Sequence, residues 1–172
     1  MNAIVILFLL ASAIRTVSVI KSASNEKKLR KAEAAEYGKN NSRVLVLSHV
    51  LYYLACLSEA IVLNKSVNKT SFIGVGLFIF SMIMLWIVIS SLKDLWTVKL
   101  IIAREHRLNN SFIFKFFKHP NYFLNIIPEL ISIALICQAW YTLSIGLPLY
   151  LIPLTIRIVQ EEKVMRKHFN DY

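Results

Sequence analysis

Eight ionisable side chains stand within or at the edge of strongly apolar stretches: Arg15, His49, Glu59, His119, Glu129, Arg157, Glu161 and Glu162. Charge in such a setting is costly, so each group needs a partner or a task. Two stretches concentrate them. The first is Lys115 to Glu129, KFFKHPNYFLNIIPE, and the second is Arg157 to Glu162, RIVQEE. In the first, Tyr122, Asn125 and Glu129 recur at spacings of three and four and line one helix face. Pro120 fits the first turn of that helix, whose free N–H groups suit a carboxylate or phosphate. In the second, Arg157 and Glu161 are four apart and Glu162 lies one step round the helix. Together they predict one polar pocket at a membrane surface. His49 and Tyr53 share a face of an earlier helix, and Glu59, ten residues on from His49, lies on another side.

Plainer readings stand beside this one. Arg157 with Glu161 makes an ordinary i,i+4 ion pair. His119 before a proline is a common interfacial residue. Glu129 can be a buried structural carboxylate paired with Arg15 or Arg157. His49 and Tyr53 can hydrogen-bond across helices.

The elements that must position these groups are membrane helices. Hydrophobic residues make up 56% of the 172, with only 4 Gly and 4 Pro, too apolar for an ordinary soluble domain. Spanning a hydrocarbon core takes roughly 20 apolar residues. Five runs approach that length: 2–20, 44–63, 72–92, 122–140 and 143–158. The expectation is an all-α integral membrane protein, one domain over 1–172, with about five transmembrane helices. Segment 72–92 reads as lipid-facing and structural. Pro128, Pro148 and Pro153 should bend the last two. The first run lacks a basic start and a small-residue cleavage site, so it reads as a helix rather than a signal peptide. Cys56 and Cys137 lie inside apolar runs without metal-ligand spacing, and neither a disulfide nor a metal is expected.

The net charge of +10 reads as topology and lipid-headgroup contact, not nucleic-acid binding, because the bases sit between apolar runs. Connector 21–43 carries seven Lys/Arg and connector 93–118 six, against two in 64–71 and none in 139–142. The positive-inside rule then puts both long connectors and the charged, helical tail in the cytoplasm, with the N-terminus outside. HPNY and RIVQEE thereby reach the same face. Within 21–43 a short surface helix should stop at Gly38. In 93–118, VKLIIA and SFIFKFF read as a small hairpin or an interfacial amphipathic segment.

The order of these motifs resembles the isoprenylcysteine carboxyl methyltransferase family. Lys118-His119-Pro120-Asn121-Tyr122 matches its basic-His-Pro-x-Tyr stretch, and Arg157 to Glu162 its R-x-x-x-E-E. The front half is similar to a bacterial branch that includes alkylpyrone O-methyltransferases, in the order Arg15, Asn25-Glu26, Glu36-Tyr37-Gly38, His49, Tyr53, Glu59 and Trp96-Thr97. Two departures stand out. Asn109-Asn110-Ser111 replaces a Gly before HPNY, and Phe123-Leu124 follows Tyr122 where eukaryotic members carry an aromatic patch. The latter points away from prenylated-protein substrates.

The resemblance implies S-adenosylmethionine as cofactor, bound mainly by about 93–172, and O-methylation of a lipophilic acceptor arriving from the bilayer. It assigns Lys118, His119, Pro120, Tyr122, Glu129 and Glu161 to the cofactor, Arg157 and Glu162 to catalysis, and His49, Tyr53 and Glu59 more loosely to the acceptor. It also implies a bacterial inner-membrane location with a cytoplasmic active site. Phospholipid-amine or thiol methylation needs similar geometry. A small transporter or non-catalytic subunit would instead place charges near the midplane, often in repeated halves, and no repeat is visible here.

Overall fold

The computed structural model describes residues 3–102 and 119–168. Five helices dominate: α1 (Ala3–Lys31), α2 (Lys39–Val62), α3 (Lys69–Leu92), α4 (Asn121–Cys137) and α5, which opens with Thr142–Gly146 and continues as Leu147–His168. Four are long and apolar enough to cross a membrane, and α4 is a shorter apolar helix. The expected all-α membrane architecture is the one observed.

All the helices but α4 run longer than the apolar runs. α1 continues eleven residues beyond its apolar run, which ends at Ile20, to Lys31, and α5 carries the charged tail as helix to His168. The predicted separate surface helix in 21–43 does not form. Its first half extends α1, and Ala35–Tyr37 forms a short strand, β1. Gly38 begins α2 instead of ending a helix: it is the N-cap residue, at φ +61°. β1 pairs antiparallel with β2 (Leu100–Ile102), in the register Ala35 to Ile102 and Tyr37 to Leu100. The strand reading of VKLIIA holds for Leu100–Ile102, whose partner among the described residues is β1. The second arm of the expected hairpin lies outside the described residues.

Prolines explain the ends of α4 and α5. A proline inside a helix removes a donor and clashes with the carbonyl four residues back. Pro128 and Pro148 each follow, by two residues, a turn with π-type hydrogen bonds, Asn121–Ile126 and Thr142–Gly146. The widened turn accommodates the ring locally. Pro153 stands mid-helix in α5, and its carbonyl accepts from Asn41 Nδ2 at 2.9 Å, fastening the start of α2. α4 stops at Cys137, three residues short of expectation, because Gln138 adopts φ +54°. Its side chain bonds the Ser66 carbonyl and the Asn68 amide, and so fixes the turn.

α3 is more than a lipid-facing strut. Gly74, Phe78, Ser81, Met82, Leu85, Val88 and Ile89 are buried. At Gly74 a Cβ would lie 2.7 Å from the Ile136 amide nitrogen, so α3 and α4 touch backbone to backbone. Small residues allow such approach between membrane helices. The core continues through Leu130, Ile133 and Ile136 of α4 and Leu154 of α5, all at most 1% exposed. The lipid side is apolar, with Leu47, Phe72, Ile83 and Ile152 exposed.

A two-layered candidate active site

The bundle places the ends of α1, α3 and α5 beside the starts of α2 and α4, and there the two motifs meet. His119 precedes α4 and is 6% exposed. Its Nδ1 lies 3.1 Å from Glu161 Oε1 and its Nε2 3.3 Å from Glu162 Oε1. Burial alone would lower the His119 pKa, but the two carboxylates outweigh it and hold the ring above its ordinary value. Tyr122 stacks on His119, with ring centroids 5.8 Å apart, and donates to Glu161 Oε2 at 2.5 Å. Arg157, 3% exposed, donates to Tyr122 Oη at 3.4 Å, Ser42 Oγ at 2.7 Å and the Val98 carbonyl at 3.0 Å. The expected Arg157–Glu161 ion pair is absent among the described residues, because both Glu161 oxygens face His119 and Tyr122.

The helix start offers fewer amides than expected. Pro120 has none, and those of Tyr122 and Phe123 both turn to the His119 carbonyl. Lys118 lies outside the described residues.

Ser42 and the Val98 carbonyl, which hold Arg157, did not emerge from the sequence. Val98 is itself held, its amide donating to Ser22 Oγ at 2.8 Å. Asn25 Nδ2 bonds the carbonyls of Lys93 and Trp96, and Lys99 reaches Glu26 at 2.6 Å. Asn25, Glu26 and Trp96, which carried the front-half resemblance, thus tie the end of α1 to the segment that orients Arg157. The signal for Ser42 was its place seven residues before His49, on the same helix face.

That interval recurs in four helices. Seven residues separate Ser22 from Arg15, Ser42 from His49, Tyr122 from Glu129 and Arg157 from Tyr150. Two helical turns span roughly 10 Å. The first member of each pair belongs to the rim just described, and the second to a deeper polar layer. There Arg15 Nε lies 2.8 Å from Glu129 Oε1, which also accepts from Tyr53 Oη at 2.6 Å. His49 Nε2 approaches the same oxygen to 3.5 Å, while Nδ1 lies 3.4 Å from Tyr150 Oη. Glu129 is wholly buried. It therefore does not join the rim residues with which it was grouped, and its cation is Arg15. Asn125, also wholly buried, lies between the layers.

Glu59 belongs to neither layer. At the opposite end of the bundle it accepts from the Tyr141 and Thr142 amides at 3.0 and 2.8 Å, capping the start of α5. A groove of about 650 Å³ lined by Ile14, Phe78, Met82 and Trp86, among others, faces lipid and shares no residue with either layer. Among the described residues no His, Cys, Asp and Glu group could hold a metal, and Cys56 and Cys137 are free and buried.

Fold and site together define a small helical membrane protein with a charged rim at one end. The chain belongs to the isoprenylcysteine carboxyl methyltransferase (ICMT) family, whose profile it matches over residues 74–167. Membership points to a membrane methyltransferase. The chain is 51% identical over 157 residues to an uncharacterized protein of Haemophilus influenzae, covering 91% of each. It is 26% identical over 155 residues to the uncharacterized protein YpbQ of Bacillus subtilis, covering 90% of this chain and 91% of that one. No solved structure matches.

Proposed function

We propose that the chain is an S-adenosylmethionine-dependent O-methyltransferase whose acceptor is lipophilic and enters from the bilayer. The observation that carries this reading is the rim knot, where His119 faces Glu161 and Glu162 at 3.1 and 3.3 Å and Tyr122 Oη lies between Glu161, at 2.5 Å, and Arg157, at 3.4 Å. Cations and carboxylates are balanced there, and Glu161 and Glu162 keep 26% and 34% of their side-chain surface. A zwitterionic amino-acid moiety fits such a knot: its carboxylate replaces a glutamate beside His119, and its ammonium replaces His119 beside a glutamate. His119 and the two glutamates each keep a charged partner throughout.

The cofactor supplies an activated methyl group when bound. The chain's own residues bind, orient and exclude water. His119, Pro120, Tyr122 and Glu161 form the cofactor side, with Lys118 next to them in sequence and residues about 93–172 supplying most of this part. Arg157 is fixed by Ser42 and Val98 and presents its guanidinium to an anionic acceptor oxygen. Glu162 takes the proton of a hydroxyl acceptor, or holds His119 charged. Preorganised donors in a dry site stabilise developing charge without reorganisation. The rim is cytoplasmic in this reading, since the base-rich connectors flank it, and the membrane is a bacterial inner membrane.

Calorimetry with S-adenosylhomocysteine on purified protein tests the proposal. Micromolar binding is expected, and no detectable heat at millimolar ligand would sink it. Arg157→Ala and Glu162→Ala should each lower methyl transfer into extracted lipid at least ~100-fold, the scale of losing one charge-stabilising or proton-transfer group, while insertion is retained. Label entering protein or a phospholipid amine instead would reassign the acceptor.

A further inference from the structure

The groove between α1 and α3 takes no part in either polar layer, and its two ends differ in kind. Its floor is Phe78 and Met82, both buried, and its walls include Ile14, Ile83 and Trp86, all exposed. Ser90 and Ser91 line its rim end. Phe78 to Ser91 is a stretch of α3 roughly 20 Å long, a little more than one leaflet of hydrocarbon at about 15 Å, half of the bilayer core. Toward the other end α1 is packed in, with Ile4, Phe8 and Ala11 buried. At the rim end the polarity changes. Lys21, two turns past Ile14 on α1, lies 3.8 Å from Asp94, and Lys28 lies 3.1 Å from the same carboxylate. Lys93, next in sequence to Asp94, is exposed as well. Three lysines thus stand against one aspartate at the mouth. Ion pairs between exposed side chains are weak, so these lysines can turn to another anion at small cost.

We propose that the groove holds one acyl chain of an anionic phospholipid from the rim-side leaflet, with the lipid phosphate against Lys21 and Lys28. Length sets the occupant first. A membrane helix of a second copy would need a groove crossing the whole bilayer, whereas this one matches a single leaflet. Charge sets the head group. Each basic residue near a membrane surface favours anionic lipid, and the mouth carries an excess of them. The exposed Ser90 hydroxyl stands between the apolar floor and the lysines, at the level of the ester carbonyls. Depth separates a held chain from passing lipid: a chain that stays outside the walls leaves Phe78 and Met82 without contacts on one side, and a lodged chain restores them. The lipid is a resident of the fold and not the methyl acceptor, since the groove and its mouth share no residue with the rim knot. On the same stretch of α1 as Lys21, Ser22 and Asn25 hold the Lys93–Val98 segment from inside. The lipid fastens the same helix pair from outside.

The test reads tryptophan quenching by lipids brominated at mid-chain, since bromine quenches an indole only at contact. Full-length Trp140→Phe in phosphatidylcholine vesicles leaves Trp86 as its exposed indole, because Trp96 is buried. At equal, low mole fraction, dibrominated phosphatidylglycerol should quench it at least about threefold more than dibrominated phosphatidylcholine. Lys21→Gln/Lys28→Gln in the same background should abolish that preference. Should this variant not fold, salt makes the same test: at about 1 M the screening length is about 3 Å, and the preference should vanish. In Trp86→Phe, where Trp140 at the opposite end reports, the two lipids should quench alike. Equal quenching of Trp86 by both lipids overturns the proposal, as does a preference that survives the lysine changes or the salt. A preference of the same size at Trp140 overturns it too, because that is the general attraction of anionic lipid to a basic protein.

Discussion

Tyr122 joins the two halves of the rim. Its hydroxyl donates to Glu161 Oε2 at 2.5 Å and accepts from Arg157 Nε at 3.4 Å, so one O–H links the proposed cofactor and catalytic sides. Tyr122→Phe keeps the ring on His119 and removes that link. Leaving a buried polar group without its partner costs about 1–3 kcal/mol. S-adenosylhomocysteine should therefore bind roughly tenfold more weakly by calorimetry, since 1.4 kcal/mol is about a factor of ten. An unchanged affinity would remove Tyr122 from the cofactor side. His119 gives the rim a pH dependence. Burial pulls its pKa down, and Glu161 and Glu162 lift it above the ordinary value. A raised folded-state pKa favours the protonated ring, so its stability contribution is complete below the ordinary histidine range. It is lost as pH rises through the folded value. The facing groups are Glu161 and Glu162 of α5 and Tyr122 of α4, with Arg157 behind Tyr122. Thermal melts from pH 6 to 9 should show the wild type losing stability with rising pH, and His119→Gln should flatten that trend.

Gly38 couples two elements. It starts α2 at φ +61°, and a Cβ there would collide with the Gln160 carboxamide of α5. Gly38→Ala should therefore carry two costs, about 1–2 kcal/mol for left-handed backbone on a residue with a Cβ and a smaller steric one, up to about 1 kcal/mol, since the Gln160 carboxamide ends a flexible side chain. Gln160→Ala should relieve only the second, so a double-mutant cycle on melting free energies should return a coupling of about 1 kcal/mol. Additive effects would mean that α5 does not press on Gly38. This glycine also shows where the sequence misled. Read with the Ala/Glu/Lys run before it, Gly38 looked like a helix stop. In fact Ala35–Tyr37 pairs with Leu100–Ile102, a partner more than sixty residues away that local propensity cannot see. HPNY and RIVQEE were legible because consecutive polar residues interrupt apolar runs. The contacts that hold Arg157, Ser42 Oγ and a backbone carbonyl at Val98, carry no such signature. Glu129 was found as a buried carboxylate with Arg15 or Arg157 as its partner, and the choice of Arg15 was not legible, because its spacing from Tyr122 fixes a face and leaves depth and partner open.

Across the whole molecule, polarity is graded along the bundle. At one end lie the rim, the β1–β2 pair and the ion pairs of Glu26 with Arg30 and Lys99. Beneath it lies the deep layer, and beyond that a largely apolar half closed by the Asn68–Gln138 and Glu59–Thr142 contacts. α4 has 17 residues by its bounds Asn121–Cys137, only about 25 Å of helix against about 30 Å of hydrocarbon. Its short reach puts His119 at one interface while Trp140 and Tyr141 sit at the other. The function proposed above has the rim face the cytoplasm, which the asymmetry of Lys and Arg between connectors supports, and site-directed labelling can read this directly. Cys56 and Cys137 are buried, so introduced cysteines report against a quiet background. Ala32→Cys, between α1 and β1, and Ser66→Cys, between α2 and α3, are both exposed positions on opposite ends. In intact cells a membrane-impermeant maleimide should label Ser66→Cys, and should label Ala32→Cys only after permeabilisation. The reverse pattern would turn the rim outward, away from the compartment where S-adenosylmethionine is made, and would contradict the orientation and the cofactor reading together.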